Sequence, residues 1–410
     1  MMMDSERPVD IDIAIVGAGL AGSAAALVLA RQGHRVVIVD PYRHYPSDFR
    51  CEKLSGDQLR LIKSLGLEET VSLRSSPVDE VLVARGGRAV DLKATRERGL
   101  RYDTLVNAVR SAWPAGVEFL EGRVEAITPD ANRPCIRLSG GEEIGARLVI
   151  LATGPGEKLR AGLGLQRRIV RTNHSICIGF DLVGDTGNRL SDRALTYYGE
   201  KAGDGIAFAT VFPIGDASRC NLFCHADPKQ DAIKNFRKRP LESLHAVMPG
   251  LKAILGNVAV RGDAEIRITH LYEIDAPQRD GVVLIGDALH ATCPVTGTGV
   301  TRVLTDVEQL CQAHIPAWFA AQTVAATHIE RFYADPRKME VDASAAAKAE
   351  RDRLMSLSTA FPWRARRFMA LAKSRLHAIA AGHGAGALTL RGRVPVPSPV
   401  VAKVPEMAHG

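Results

Sequence analysis

The sequence predicts an α/β fold: a Rossmann-type nucleotide-binding domain, an inserted antiparallel β-sheet domain and a helical C-terminal region. Three observations predict it. Near the N-terminus an apolar run leads into a glycine-rich turn and then an Ala- and Leu-rich stretch. A second apolar run, ending at Ile285, passes into Gly286-Asp287 and then Gly297 and Gly299. Between them, from His174 to His225, the pattern is that of strands.

The first element is a buried strand from Ile11 to Val16, followed by Gly17, Gly19 and Gly22 in G-x-G-x-x-G spacing. Gly17 permits the tight turn, Gly19 lets a pyrophosphate approach the backbone, and Gly22 lets the helix lie close on the strand. The helix runs through Leu20 and Ala21 to Arg31, with its free N–H groups and dipole toward the phosphates. A second strand, Arg35 to Val39, ends on Asp40, placed to hydrogen-bond ribose hydroxyls. A membrane span over 13–30 is disfavoured by its three glycines and by Gly33 beyond it. No basic region precedes the apolar run, so no secretory signal is expected.

Further on, Pro41 to Phe49 reads as loop, and Ser55 opens a helix stopped at Gly66. Glu80 to Ala84 and Arg88 to Leu92 read as a hairpin through Gly86-Gly87, and Tyr102 to Trp113 as a helix. Strands are expected at Val117–Leu120, Gly122–Ile127, Cys135–Leu138 and Ala146–Ala152, then at Ser175–Leu182, Ala207–Pro213 and Arg219–Cys224. Lys229 to Met248 reads as a helix, and Arg267–Tyr272 and Val282–Ile285 as strands. From Gly299 a long helical region runs to Ser358, broken near Pro316 and Pro336, then a basic and apolar helix from Phe361 to Ala381. Gly382 to Gly410 is rich in Gly and Pro and reads as irregular. The nucleotide domain is thus expected at 8–85, 114–166 and 272–315, the inserted domain at 86–113 and 167–271, and the C-terminal region at 316–410.

Composition narrows the class. Hydrophobic residues make up 46% and charged residues 24%, which fits a globular protein with a large core. The net charge of +7 is spread along the chain, which argues against nucleic acid and suits an anionic substrate or surface. The seven cysteines are scattered, as reduced thiols of a cytoplasmic protein would be. Cys220 and Cys224 have no second Cys or His pair to complete a zinc set, so they read as small residues on one strand face, and no metal site is expected.

Together the two glycine segments look like the two ends of an FAD site, which makes the Rossmann-type domain an FAD-binding domain. In Gly286-Asp287-Ala288-Leu289-His290, Pro294, Gly297 and Gly299 the chain resembles the group A flavin-dependent monooxygenases of the p-hydroxybenzoate hydroxylase type. The resemblance covers roughly 10–345 in motif order and spacing. It implies that Gly17, Gly19, Leu20, Ala21, Gly22 and Asp40 hold the ADP half and that Arg50 reaches the phosphates. It further implies that Gly286 and Asp287 meet the ribityl chain. Pro294 and the amides of Gly297, Thr298, Gly299 and Val300 would lie against flavin N1 and the C2 oxygen. Reduced flavin carries negative charge there, and a helix starting at Gly299 offers a positive end. His290 reads as a packed part of the motif, and Cys51 and Cys293 as small side chains near the flavin.

Two departures qualify the resemblance. Thr301 stands where the family usually has Asn. Ala152-Thr153-Gly154-Pro155-Gly156 stands where it has Gly-Ala-Asp-Gly, whose Asp is tied to nicotinamide use. The halogenase Trp-x-Trp run is absent, since the Trp residues stand alone at 113, 318 and 363. The expectation is an FAD-dependent monooxygenase reduced by NADH or NADPH, delivering one oxygen from O2 to a small organic substrate through a flavin C4a-hydroperoxide. Rivals are an FAD-dependent reductase of the geranylgeranyl reductase type, a halogenase relative and a non-enzymatic, membrane-associated flavoprotein. No catalytic residue stands out from spacing. Pocket side chains are expected at Tyr197, Tyr198, Phe208 and Phe212, and the oligomeric state is open. Phe361 to Ala381 is read as a helix that lids the pocket or packs on the sheet, rather than one on a membrane.

Overall fold

A computed structural model describes residues 11–380, 388–390 and 392–393; most of the expected irregular tail at 382–410 lies outside these. β1 (Ile11–Val16) feeds α1 (Leu20–Arg31), and β2 (Val36–Asp40) returns in parallel beside β1. Ile13, Ile15, Ala24, Ala25 and Leu27 are fully buried, so alanine along α1 sets how closely it lies on the sheet. β3 (Cys51–Leu54) leads to α2 (Gly56–Ser64) and α3 (Glu68–Ser72). α2 is started by the Ser55 N–H, which donates to Gln58 Oε1 at 2.7 Å. β4 (Ser76–Arg85) and β5 (Arg88–Arg101) form the expected hairpin, but β5 runs on to the start of α4 (Tyr102–Ser111). β6 (Val117–Glu121), β7 (Val124–Thr128), β8 (Cys135–Leu138) and β9 (Glu143–Leu151) follow.

After α5 (Lys158–Gly162) come β10 (Arg167–Val183), β11 (Ala194–Tyr198), β12 (Ile206–Ile214) and β13 (Ala217–Cys224). The helix expected over 229–248 is instead split into α6 (Asp231–Lys234) and α7 (Pro240–Val247), because Pro240 starts a new helix rather than continuing one. α8 (Leu251–Leu255), β14 (Ala259–Ile274) and β15 (Val282–Leu284) complete the middle of the chain. The C-terminal helices are α9 (Gly299–Gln309), α10 (Ile315–Ala320), α11 (Ala326–Tyr333), α12 (Pro336–Leu357) and α13 (Phe361–Ala380). Pro316 is not a break: it sits in the first turn of α10 after a π-helical turn at Leu310–His314, and the chain leaves the helix at 321–325. Asp335 caps α12 by accepting from the N–H groups of Arg337 and Lys338 at 2.9 and 3.0 Å.

The first sheet has the order β6-β2-β1-β9, with β15 on β9 and the β8–β7 meander on the N-terminal half of β9. The second has the order β14-β10-β13-β12-β11-β4-β5-β3, antiparallel except where β11 meets β4. Residues 51–54 and 76–85 therefore pair into the second sheet, although the sequence limits place them in 8–85 with the nucleotide domain. α4 does the reverse. It falls in 86–113, yet Leu105, Val106 and Val109 pack with α1 in the first core. Both differences come from long-range pairing that local periodicity does not encode. Cys220 and Cys224 lie on one face of β13 in the second core.

Candidate active site

The N-terminal turn is built by its glycines. Gly17 has φ of +96°, and a Cβ there would stand 2.7 Å from the Ala152 carbonyl oxygen. A Cβ on Gly22 would stand 1.9 Å from the Gly17 oxygen, so only glycine lets α1 sit this close to β1. Gly19 differs: a Cβ there meets nothing within 4 Å, which leaves open space beside the backbone. No side chain caps α1 and no acid lies in its first turn, so its N–H groups are available to an anion. Asp40 holds this turn as well as ending β2. Its carboxylate accepts from Ala18 N at 2.8 Å and Tyr42 N at 3.0 Å. Arg110 of α4, which sequence reasoning missed, donates to the carbonyls of Ala18, Tyr42 and Arg43 and lies 3.9 Å from Asp40. Nothing in its local pattern marks it; a helical arginine becomes a clamp only through its burial against the turn.

The second segment is held from three directions. Gly286 N donates to Asp306 Oδ2 at 3.0 Å, and Tyr272 Oη donates to the Asp287 carbonyl at 2.6 Å. Arg160, fully buried, donates to the carbonyls of Pro155 at 2.9 Å and Ala288 at 3.0 Å, tying the 152–156 turn to this segment. Pro294 opens a short 3-10 turn to Thr296, and Gly297 then takes φ of +63°. Gln58 Nε2 donates to the Gly297 carbonyl at 3.0 Å, and Lys348 Nζ to that of Thr296 at 2.6 Å. α9 starts at Gly299 after Thr298 with neither a side-chain cap nor an acid in its first turn. It is the second uncapped helix N-terminus of the site.

Behind α9 lies a buried ionic network. Lys338 Nζ bridges Asp306 Oδ1 and Asp342 Oδ2 at 2.9 Å each, and Arg302 Nε donates to Asp342 Oδ1 at 2.7 Å. Two cations balance two carboxylates, and His290 Nε2 lies 3.2 Å from Asp342. Burial, with Arg302 and Lys338 nearby, holds the His290 imidazole well below its ordinary pKa, so it packs as a neutral ring.

A cavity of about 480 Å³ gathers the expected residues Leu20, Arg50, Asp287, Gly297, Gly299 and Val300, with Pro294 at its edge. Gly17, Gly19, Ala21, Gly22, Asp40, Gly286 and Thr298 do not border it; they build the turns on which it rests. Arg50 lies over the Tyr102 ring at 3.6 Å and donates to Asp48 Oδ2 at 2.8 Å. Burial pushes the Asp287 carboxyl up, partly opposed by Arg50 and Arg302.

A second cavity, of about 880 Å³, shares Cys51, Glu52, Asn221, Phe223, Pro294 and Gly297 with the first. The two spaces therefore meet at the start of β3, at β13 and at the Pro294–Gly297 turn. Tyr198, Phe208 and Phe212 line it as expected. Tyr197 does not: strand alternation turns it into the second core, where its hydroxyl meets Glu200. α12 and α13 contribute Lys348, Arg351, Met355, Phe368 and Leu371, which sequence reasoning missed because these helices reach the pocket only through tertiary packing. Burial raises the Glu52 carboxyl at the junction, opposed by Arg50. Burial pushes the Cys51 thiol up to about 12, and it accepts from Arg219 Nε at 3.0 Å. Cys293 Sγ lies 3.5 Å from Ser175 Oγ. Both read as buried, unreactive thiols.

Residues 10–315 match a family described as an FAD binding domain. Ubiquinone hydroxylase UbiL of Rhodospirillum rubrum is 25% identical over 332 residues, covering 75% of this chain and 72% of that protein. Digeranylgeranylglycerophospholipid reductase 1 of Methanopyrus kandleri is 24% identical over 310 residues, covering 72% of this chain and 78% of that protein. The crystal structure of p-nitrophenol 4-monooxygenase PnpA from Pseudomonas putida DLL-E4 has the same fold. Its TM-score is 0.72 at 18% identity, over 94% of this chain and 99% of that one. The glycine turn with open space at Gly19, the two uncapped helix ends and the cavity between them suit a dinucleotide. With the family match spanning most of its length, the chain belongs to the FAD-binding-domain family and has the fold of the group A flavin-dependent monooxygenases.

Proposed function

We propose that this chain is an FAD-dependent monooxygenase that inserts one atom of O2 into a small organic substrate and releases the other as water, with NADH or NADPH supplying two electrons. The observation that carries this reading is the shared wall of the two cavities. A substrate in the aromatic-lined space would lie directly against whatever the Asp287 and Gly297 segments hold. Gly17, Gly19, Leu20, Ala21, Gly22 and Asp40 take the ADP half and Arg50 the phosphates. Gly286 and Asp287 take the ribityl chain. Pro294, Gly297, Thr298, Gly299 and Val300 take the ring. When bound, reduced FAD supplies the oxygen chemistry. The N-terminus of α9 stabilises negative charge on the ring, the aromatic wall keeps water out, and Glu52, shifted toward its protonated form by burial, can hold a proton at the junction.

Two outcomes are expected. Asp287→Ala removes a charge-assisted hydrogen bond and should weaken FAD binding by about tenfold or more. Flavin fluorescence titration reads this directly, and unchanged affinity would remove Asp287 from the cofactor's contacts. Second, NADH or NADPH should reduce the bound flavin anaerobically, faster with a ligand from a panel of aromatic and polyketide-like compounds. Reoxidation under ¹⁸O₂ should then place one labelled atom in the product, read by mass spectrometry. Reduction without label incorporation for any true ligand would end the monooxygenase reading.

A reductase is the second reading. It is favoured by the Ala152–Gly156 turn, which lacks the Asp tied to nicotinamide use, and by the similarity to the Methanopyrus kandleri reductase. Failure of both nicotinamides to reduce the flavin would point to an external electron donor and to this alternative.

A further inference from the structure

The face that α13 turns outward is apolar. Phe361 is 81% exposed, Phe368 71%, Leu376 67% and Ile379 73%. With Ala365, Met369 and Ala372 they fall within an arc of about 100° on the helix surface. The opposite side carries the contact with the body, where Ser374 and Ala378 are buried and Leu371 lines the larger cavity. His377 Nδ1 is 2.9 Å from Asp91 Oδ1 of β5, and the Arg367 guanidinium binds the carbonyls of Met355 and Ser358 at the end of α12. α13 is thus pinned along one side only. α13 packs on the sheet as expected, through β5, and Phe368 and Leu371 border the larger cavity, but the apolar stripe itself faces away from the sheet.

The flanks of the apolar stripe are cationic. Arg364 and Arg375 lie on one side, Arg366 and Lys373 on the other, and the helix contains no Asp or Glu. An apolar stripe between two rows of cations complements an anionic lipid surface, where the stripe enters the acyl boundary and the cations meet headgroup phosphates. No helix among the described residues is long and apolar enough to cross a membrane, so α13 would lie on the surface rather than span it. Phe368 belongs both to the outward stripe and to the cavity lining, so the lining reaches the same face of the helix.

We propose that α13 docks the protein on an anionic membrane surface and that the larger cavity opens toward that surface, admitting a substrate dissolved in the lipid. The docking stands independently of which reaction the flavin supports. The test is co-sedimentation of the full-length, FAD-loaded protein with vesicles of phosphatidylcholine alone or mixed with phosphatidylglycerol. Binding should require the anionic lipid and weaken with salt. The combined change Arg364→Gln, Lys373→Gln and Arg375→Gln should lower partitioning about a hundredfold. The combined change Phe361→Ser, Leu376→Ser and Ile379→Ser should abolish it. None of these six side chains lines either cavity, so bound-flavin absorbance should be unchanged in both variants and reports that they fold. Failure of the unaltered protein to pellet with anionic vesicles overturns the proposal. So does a concentration-dependent dimer that the serine variant dissociates, because a second copy then covers the stripe. Binding that appears only after truncation beyond Arg393 also overturns it, because the chain's own C-terminal segment is then the occupant.

Discussion

Lys338→Met should destabilise the protein by about 3–5 kcal/mol, because it breaks a buried ion pair from one side. Lys338 is 2% exposed and Asp306 1%, and the ammonium sits between two carboxylates. Without it Arg302 is left to balance both Asp306 and Asp342, although its guanidinium is hydrogen-bonded to Asp342 alone among the described residues. The damage should reach the cofactor, because Asp306 also fixes Gly286 N, one residue before Asp287. Equilibrium denaturation and FAD titration should therefore both shift. Adding Asp306→Asn to Lys338→Met should recover much of the loss: it restores one carboxylate against one guanidinium, and the amide oxygen can still accept from Gly286. A double variant no more stable than the single one would show that Lys338 acts through packing rather than charge.

The glycine turn yields the second large effect, and here two neighbouring substitutions should behave differently. Gly22→Ala puts a methyl group 1.9 Å from the Gly17 oxygen, so α1 must move off β1. The expected cost is about 3 kcal/mol, and the apoprotein should melt earlier. At Gly19 a Cβ meets nothing within 4 Å and the backbone has an ordinary φ of −68°, so Gly19→Val is accommodated where Gly22→Ala is not. The apoprotein should therefore melt as the unaltered one does, while the side chain fills the space a pyrophosphate needs and FAD binding is lost. Thermal melts of both apoproteins, paired with the flavin content of the purified proteins, separate the two roles. Retention of FAD by Gly19→Val would contradict the assignment of the turn to the pyrophosphate.

Much of the candidate site is legible in the chain because its geometry is local. Strand, glycine turn and helix succeed one another within 11–31, and Gly297 takes the positive φ that its place before α9 requires. Arg50 is far in sequence from Asp287, Gly297 and Gly299 yet borders the same cavity, as motif order alone suggests. Arg110, Arg160 and Lys338 are not legible. Each is an ordinary basic residue of a helix until burial forces it to find carbonyls or carboxylates from distant segments. Tyr197 departs from the expected pocket for a related reason: the register of β11 between β12 and β4 decides which of two adjacent tyrosines faces the cavity.

The sequence by itself determined the fold class, the two glycine turns and the order in which they come, because backbone conformation there depends on neighbours in the chain. Only the tertiary structure decided that residues 51–54 and 76–85 join the second sheet, that α4 braces α1, that the two cavities share a wall and that α13 turns its apolar face outward. Periodicity shows that a helix has an apolar side; which side meets the core depends on contacts made elsewhere, here His377 with Asp91 and Arg367 with the end of α12.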